Sequence, residues 1–326
     1  MRVGKSPTRK TTTKQELHDI TCTMLVHIPN TIGYYEQRIE IFDACIRSMV
    51  KNAGVEHNVI VFDNASCTEA ADKIDDLQEE GIIDVVVRSR VNIGKPSAMR
   101  WLFWIAPGEI IAYSDDDMFF LPGWLDESIK VLEHFPNVGC VSAYPFRPQA
   151  QVVENLNVST LKWAEEHAVV TREDHIPEWW NRLTILGVGR DWNEYVKMSG
   201  DLLEYVVEYE GMKALIQGHH CQFIGRRVNL ISVPDGGTDK LMGNMLLFDK
   251  LMDNMGLLRL NTYGGYAMHV GNIIDPDMFK LMRREGFAVN LGVIRKPPMG
   301  SRIIMKMRPL LEPIYEWLYW SLSRTK

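Results

Sequence analysis

The stretch EIIAYSDDDMFFLPGW, residues 109–124, decides the fold, because an apolar strand runs here directly into three consecutive acids. A short apolar run bounded by polar residues predicts a buried strand, with the acids at its carboxyl end. Adjacent carboxylates repel each other, and a bound divalent cation would offset that cost. On an extended segment Asp115 and Asp117 point to one side and Asp116 to the other, so one side could hold a metal and the other a ribose.

Strands and amphipathic helices alternate on both sides of this stretch. Further strands are predicted at residues 21–29, 58–66, 82–89 and 138–144. Helices are predicted at residues 37–54, about 68–80, 95–108 and 125–135. This alternation predicts an α/β fold with a mostly parallel, doubly wound sheet. Beyond residue 145 the pattern is less regular, with a strand pair at 221–233, a helix at 246–256 and a strand-like run at 258–270.

Composition and charge exclude several classes of protein. The 326 residues are 46% hydrophobic and 24% charged, as in globular proteins, which argues against a disordered, collagenous or coiled-coil chain. Five scattered cysteines without a CxxC pair indicate neither a disulfide framework nor a thiolate zinc site, and favour a reducing compartment. The net charge of −6 combines two basic ends with an acidic body, which is a poor binder of nucleic acid.

Polar residues follow each strand of the predicted parallel sheet. They are Pro29 and Asn30 after the first strand, Asp63 and Asn64 after the second, Asn92, Gly94 and Lys95 after the third, and Asp115, Asp116 and Asp117 after the fourth. Ligands of open α/β sheets bind at the carboxyl ends of the strands. These residues are therefore the candidate binding site.

Four motifs occur in order within residues 20–145: PN, DNAS, NIG and YSDDDMFFLPGW. In this order they resemble the motifs of the family 2 glycosyltransferases, which are enzymes of the GT-A fold with a DXD motif. The resemblance implies a nucleotide diphosphate sugar as donor and Mn²⁺ or Mg²⁺ as cofactor. It implies that Asp63 contacts the base, that Asn92 and Lys95 line the nucleotide, and that Asp115 or Asp116 binds the ribose. The rest of the cofactor-binding set is then Pro29, Asn30, Asn64 and Gly94.

The resemblance also implies the metal ligands. Family members often place a late histidine near the metal, and the run YAMHVGN supplies His269. We therefore expect Asp115, Asp117 and His269 to be the ligands of the ion. A lone histidine fits a hydrogen-bonded surface role as well, so that alternative for His269 stays open.

The general base is the point at which the chain departs from the family. Family members commonly carry an acidic pair at the start of a helix that ends at a glycine such as Gly256. Here Gly243, Asn244 and Met245 occupy that place. The candidate catalytic bases are therefore Asp249 and Asp239, with Asp235 as a further alternative. His219 and His220 could line the acceptor site, but adjacent strand residues face opposite sides, and structural roles fit them equally.

The expected function is transfer of a sugar from the donor to a hydroxyl group of a glycan or lipid-linked glycan, with inversion. A cation would neutralise the leaving diphosphate, and a base would take the proton of the hydroxyl. Two alternatives stay open. A metal-dependent nucleotidyltransferase usually carries a Gly-rich phosphate loop near its first strand, which this chain lacks. A non-catalytic sugar-nucleotide binding protein would explain the missing acidic pair.

Four regions are expected along the chain: a disordered basic lead-in at 1–18, a nucleotide-sugar-binding α/β region at 19–145, an acceptor-binding and sheet-completing region at 146–294, and a basic, aromatic tail at 295–326. Without a spanning apolar run or a secretory signal, the chain is expected in the cytoplasm. The charges and aromatic residues of the tail could seat it on the inner membrane face. Packing of the tail on the body, or a homo-oligomer contact, is the alternative.

Overall fold

The structure is a computed structural model, and it describes residues 17–145, 150–189, 191–199, 203–234 and 240–288. The chain divides into two compact units, Met1–Val289 and Asn290–Lys326, and every described residue belongs to the first. The predicted tail at 295–326 and all but the last two residues of the predicted lead-in therefore lie outside the described residues. None of the described helices is both long and apolar enough to cross a membrane.

Strands and helices alternate through the described residues, as the sequence pattern predicts. The strands are β1 (Ile20–Val26), β2 (Asn58–Asn64), β3 (Val85–Ser89), β4 (Ile110–Asp115), β5 (Met118–Phe120), β6 (Val138–Ser142), β7 (Val169–Glu173), β8 (Glu204–Tyr209), β9 (Met212–Ile216), β10 (Gln222–Arg226), β11 (Leu258–Thr262) and β12 (Ala267–His269). The helices are α1 (Arg38–Lys51), α2 (Thr68–Glu79), α3 (Lys95–Ile105), α4 (Trp124–His134), α5 (Ala150–Leu156), α6 (Val158–His167), α7 (Glu178–Gly187), α8 (Trp192–Ser199), α9 (Arg227–Ser232), α10 (Met245–Asn254) and α11 (Pro276–Arg284).

Among the described residues, ten strands form one sheet in the order β3-β2-β1-β4-β10-β6-β11-β9-β8-β7. Strands β3, β2, β1 and β4 are mutually parallel, and β6 pairs in parallel with β11. Strands β10, β9 and β7 are antiparallel to their neighbours, so seven of the ten strands run in one direction. The predicted α/β fold with a mostly parallel sheet is confirmed. Strands β5 and β12 form a separate antiparallel pair.

The inner strands of the parallel half are buried along their length, whereas the edge strand β3 is partly exposed. Every residue of β2 is buried, as is nearly all of β1, which is typical of parallel strands that are covered on both faces. On one face Leu25 and Phe62 of the sheet pack in the same core cluster as Leu102 and Phe103 of α3. This core holds β1, β2 and β4 together and so fixes the edge at which their polar carboxyl ends lie.

The segment at 221–233 differs from the predicted strand pair. Only its first part is a strand, β10, and its second part is the helix α9. Arg227 at the start of α9 donates to the carbonyls of Phe103 and Trp104 near the end of α3. Carbonyls in the last turn of a helix lack partners within the helix, so this tertiary contact favours a helix where the local pattern favours a strand.

The strand-like run at 258–270 divides into β11 and β12, which belong to different sheets. The break contains Gly265, and a Cβ atom there would lie only 2.5 Å from the Trp180 ring. A residue with a side chain would therefore push the chain away from Trp180. The break allows β12 to turn toward β5 and so toward the acids that follow β4.

Candidate active site

A hydrogen-bonded network joins the carboxyl ends of three parallel strands. His27 Nδ1 lies 2.8 Å from the carbonyl oxygen of Asn64, which only accepts, so Nδ1 carries the proton. Asn64 Nδ2 donates to Asn92 Oδ1 at 2.9 Å, and Asn92 Nδ2 lies 3.1 Å from His27 Nε2. Asn92 Oδ1 also accepts from the backbone N–H of Gly94 at 2.8 Å. His27 was not among the predicted site residues, although its place at the end of an apolar strand could have indicated it.

Asp63 and Asn30 both organise turns at this edge. Asp63 is buried, its Oδ1 accepts from the backbone N–H of Ser66 at 2.9 Å, and its Oδ2 lies 3.5 Å from Arg88 Nε. Asn30 accepts from a backbone N–H two residues later, and both Asn30 and Pro29 are exposed. Contact of Asp63 with a base stays a prediction, and it would use the oxygen that faces Arg88.

Lys95 and Asp115 form an ion pair at the same edge. Lys95 Nζ donates to Asp115 Oδ2 at 2.5 Å, and the hydroxyl of Tyr113 donates to Asp115 Oδ1 at 2.7 Å. Burial alone would lower the pKa of Lys95, but the Asp115 carboxylate outweighs burial and raises it. Both oxygens of Asp115 are therefore engaged, and binding a ribose or a metal would require an exchange of one of these partners.

Asp116 and Asp117 share one buried partner, the guanidinium of Arg38. Nη1 donates to Asp117 Oδ2 at 2.6 Å, and Nη2 pairs with Asp116 Oδ1. The expected alternation of these side chains is wrong, because β4 ends at Asp115 and the next two residues form a turn. Arg38 was not among the predicted site residues either. The signal was present, since Arg38 stands on the apolar face of α1, three residues before Ile41.

The buried surroundings separate the two carboxylates electrostatically. Burial raises the pKa of Asp116, whose Oδ2 has no hydrogen-bond partner among the described residues. Burial acts in the same direction on Asp117, but the charges of His269 and Arg38 outweigh it and hold the pKa of Asp117 low. Asp117 is therefore the better anion. Its Oδ1 is buried, lies 3.5 Å from His269 Nε2, and has no hydrogen bond within the described part of the chain.

His269 reaches the acids through the small antiparallel pair of strands. It stands opposite Met118 in the pairing of β12 with β5, and the neighbouring Val270 N–H donates to the carbonyl of Asp117 at 2.8 Å. The end of α7 packs against this strand at Gly187, where a Cβ atom would lie 2.0 Å from the carbonyl oxygen of His269. A glycine is thus required at this contact for His269 to keep its place.

The side chains at this edge supply only part of the ligand set of a divalent cation. Within the described ranges, no three His, Cys, Asp or Glu side chains are grouped so that they could hold a metal ion. Asp117 Oδ1 and His269 Nε2 are nevertheless a carboxylate oxygen without a proton donor and an imidazole nitrogen, both of which suit Mn²⁺ or a similar ion. Asp115, expected as a third ligand, is held by Lys95 and Tyr113.

Asp249, a predicted base, has no free oxygen. It is buried in α10, with Oδ1 2.8 Å from Arg259 Nη2 and Oδ2 2.8 Å from His220 Nδ1. Burial alone would raise the pKa of Asp249, but the charges of Arg259 and His220 outweigh burial and lower it. The geometry therefore makes Asp249 a partner of these two residues and leaves no position for an acceptor hydroxyl. The other candidate, Asp239, lies outside the described residues, as does Asp235.

Residues 33–182 match the family model described as "Glycosyl transferase family 2". The match confirms that the chain resembles the family 2 glycosyltransferases, and it supports a glycosyltransferase as the class of enzyme. The matched region includes Arg38, Lys95 and the three acids after β4. It ends before His220 and Asp249, so the family match says nothing about that part of the site.

Several solved structures are similar to this chain. Residues 1–349 of S. aureus TarS show 13% identity and a TM-score of 0.43, covering 84% of this chain and 66% of that chain. Glucosyl-3-phosphoglycerate synthase from Mycobacterium tuberculosis, solved with Mn²⁺, UDP and phosphoglyceric acid, shows 16% identity and a TM-score of 0.39, covering 81% and 74%. The mannosyltransferase PcManGT from Pyrobaculum calidifontis, with GDP-Man and Mn²⁺, shows 20% identity and a TM-score of 0.32, covering 45% and 41%.

The chain spans less than two thirds of the length of the two TarS structures and of the mannosyltransferase. No curated protein matches the chain.

Proposed function

We propose that the protein is a metal-dependent glycosyltransferase that moves a sugar from a nucleotide diphosphate donor to a hydroxyl group of a glycan or lipid-linked glycan, with inversion. The family match supports the class of enzyme. The observation that carries the proposal is the buried, unpartnered Oδ1 of Asp117 beside His269 Nε2, within the described residues at the carboxyl edge of the sheet.

The donor would bind at the carboxyl edge between β1 and β4. The strand order β3-β2-β1-β4 reverses there, and ligands of open α/β sheets bind outside such a reversal. The network of His27, Asn64 and Asn92 holds the loops of this edge in place, and the exposed Pro29 and Asn30 border it. The nucleotide would therefore meet a preorganised surface and not three independent loops.

Charge balance at this edge favours one bound cation together with the diphosphate. With all three acids after β4 ionised, Arg38 and Lys95 would neutralise two of them and leave one negative charge. Asp117 and His269 would hold Mn²⁺ or Mg²⁺, which when bound acts as a Lewis acid toward the leaving diphosphate. Arg38 keeps Asp117 Oδ2 engaged, so that Oδ1 faces His269.

Two parts of the proposal rest on expectation from the sequence. A cytoplasmic location and a peripheral membrane contact would place the enzyme beside a lipid-linked acceptor. The residues that would make that contact belong to the tail at 295–326, which lies outside the described residues. Inversion follows from the resemblance to the family, and it requires a base on the acceptor side of the sugar.

The test is incubation of the full chain with UDP-glucose, UDP-N-acetylglucosamine and GDP-mannose in the presence of Mn²⁺. We expect sugar transfer, or slow hydrolysis when water is the acceptor, and loss of either reaction when EDTA removes the ion. Release of pyrophosphate would indicate a nucleotidyltransferase instead. Binding of a sugar nucleotide without any turnover would indicate a non-catalytic binding protein.

A further inference from the structure

A histidine and a buried carboxylate form a second ionisable pair, apart from the acids after β4. His220 Nδ1 lies 2.8 Å from Asp249 Oδ2. Burial alone would raise the pKa of Asp249, but Arg259 and His220 hold it below its ordinary value, so the carboxylate is ionised at neutral pH and can only accept a hydrogen bond. Nδ1 of His220 therefore carries the proton, and in the neutral imidazole Nε2 keeps the lone pair.

The ion pair with Arg259 uses only one of the two carboxylate oxygens of Asp249. The buried Arg259 guanidinium bonds Asp249 Oδ1 at 2.8 Å and the carbonyl of Gly218 at 2.6 Å, so it is itself fixed. Asp249 Oδ2 is left to orient His220. Besides Arg259, the neighbouring titratable groups are His219, whose pKa burial lowers to about 3, so that it is uncharged at neutral pH, and the thiols of Cys140 and Cys221, whose pKa values burial raises.

The loop that carries His220 ends beside the acids after β4. The backbone carbonyl oxygen of Cys221, the next residue, accepts a hydrogen bond from the backbone N–H of Asp115 at 2.8 Å. Gln222 then stands opposite Ser114 where β10 pairs with β4. The His220 side chain is 29% exposed, whereas that of Asp249 is 6% exposed. Within the described ranges, the structure shows a hydrogen bond to Nδ1 of His220 and none to Nε2.

We infer that His220 is the catalytic base that takes the proton of the acceptor hydroxyl, and that Asp249 is its positioning residue. This inference rests on the proposed transferase function and deepens it. It also accounts for the missing acidic pair at residues 244–245. Asn244 is occupied there as a helix cap, since its side chain accepts from the backbone N–H of Leu247 at 3.2 Å.

The reaction needs no reactant besides the sugar donor and the acceptor hydroxyl. Nε2 of His220 takes the hydroxyl proton while the acceptor oxygen forms a bond to the anomeric carbon of the donor sugar. The bond from that carbon to the diphosphate oxygen breaks, and its electron pair leaves with the nucleoside diphosphate. The Asp249 carboxylate stabilises the resulting imidazolium, which then returns the proton to solvent.

The first test compares His220→Gln with the control His167→Gln. His167 is an exposed histidine on α6 whose Nδ1 lies 2.9 Å from the carbonyl oxygen of Trp163 and has no carboxylate partner in the described part of the chain. His220→Gln should lower kcat by about 100-fold or more with the donor dissociation constant unchanged, because general-base catalysis contributes about that factor. The acid limb of the kcat profile against pH should disappear, and free imidazole should restore part of the rate in His220→Ala. His167→Gln should behave as the parent.

The second test uses Asp249→Asn and reads the tautomer of His220 by ¹⁵N NMR of the histidine-labelled full chain. In this variant Arg259 donates to the amide oxygen, so the amide NH₂ faces His220 and donates to Nδ1. The proton must then move to Nε2, which removes the lone pair that acts as base. We expect the parent to hold the proton on Nδ1, the variant to hold it on Nε2, and kcat to fall with donor affinity retained.

Transfer at the parent rate by His220→Gln, or a parent His220 with its proton on Nε2, would overturn the role of His220 and leave the transferase function standing. A parent chain that neither binds nor turns over any sugar nucleotide would overturn the proposed function and this inference together. The two failures are therefore distinguishable.

Discussion

Two buried arginines each pair with carboxylate groups beside a histidine, but the two clusters differ in which atoms are left without a hydrogen bond. The acid cluster contains Arg38, Asp116, Asp117 and His269, and the dyad cluster contains Arg259, Asp249 and His220. In the acid cluster two carboxylate oxygens, Asp116 Oδ2 and Asp117 Oδ1, have no hydrogen-bond partner among the described residues, and Asp117 Oδ1 is the one beside His269. In the dyad cluster both carboxylate oxygens are bonded, and the acceptor that has no hydrogen bond among the described residues is an imidazole nitrogen, Nε2 of His220. The same residue types thus suit a cation in one cluster and a proton in the other.

Removal of Arg38 should have the largest effect. Arg38→Met would leave two buried carboxylates without their cation, which should lower the free energy of unfolding by about 3–5 kcal/mol. Mn²⁺ should restore part of the melting temperature, because it supplies positive charge at the same acids.

The matched control for Arg38 is Arg47→Met on the same helix. Arg47 pairs with Asp43 and Glu80 in partly exposed positions, and such pairs contribute at most about 1 kcal/mol. Chemical denaturation of both variants measures the difference. Equal losses of stability would show that the acid cluster does not depend on its buried arginine.

Asp117→Asn should lower Mn²⁺-dependent kcat/KM by about 100-fold or more, because the amide cannot supply the negative charge that a hard cation prefers. The fold should survive, since Arg38 keeps its ion pair with Asp116. Asp126→Asn on α4, a partly exposed acid that pairs with Lys130, is the control and should retain activity. A folded Asp117→Asn with parent activity across a Mn²⁺ titration would remove Asp117 from the metal site.

His269→Gln should weaken Mn²⁺ binding by roughly tenfold, about 1.4 kcal/mol, since an imidazole contributes a neutral ligand and Asp117 contributes charge. Electron paramagnetic resonance of bound Mn²⁺ measures the affinity directly. His134→Gln is the control, because His134 bonds the carbonyl of Tyr209 and belongs to neither cluster. If both variants bind Mn²⁺ as the parent does, His269 only packs against its neighbours.

The smallest expected effect on stability lies in the dyad cluster and is a change in how unfolding depends on acid. The pKa of Asp249 is lowered in the folded state from its ordinary value of 3.8. Its stabilising contribution is therefore fully present above about pH 4 and is lost as the pH falls through the lower folded pKa. Unfolding of the parent between pH 6 and pH 3 should show this loss, and Asp249→Asn should lack it. Parallel curves for the two proteins would contradict the lowered pKa.

The parallel half of the fold could be predicted because its signals are local. Strands β1, β2 and β4 are apolar runs, and the polar residues that follow them lie at one edge, as parallel pairing requires. Lys95 and Asp115 meet there for that reason.

The partners of the acids could not be predicted from local patterns. Arg38 meets Asp117 across 79 positions of sequence, and His220 meets Asp249 across 29. These contacts depend on how α1 and α10 pack against the sheet, which the spacing of apolar residues does not specify. A charged residue on an apolar helix face, such as Arg38, was the one available sign that a buried partner exists.

The most direct test measures donor binding by calorimetric titration of a sugar nucleotide, with and without Mn²⁺, together with turnover. It tests whether the acid cluster binds the cation and the dyad cluster takes the proton. We predict that Asp117→Asn loses the Mn²⁺-dependent part of donor binding, whereas His220→Gln binds the donor as the parent does and loses only turnover. The reverse pattern, or the same loss of donor binding in both variants, would contradict this division.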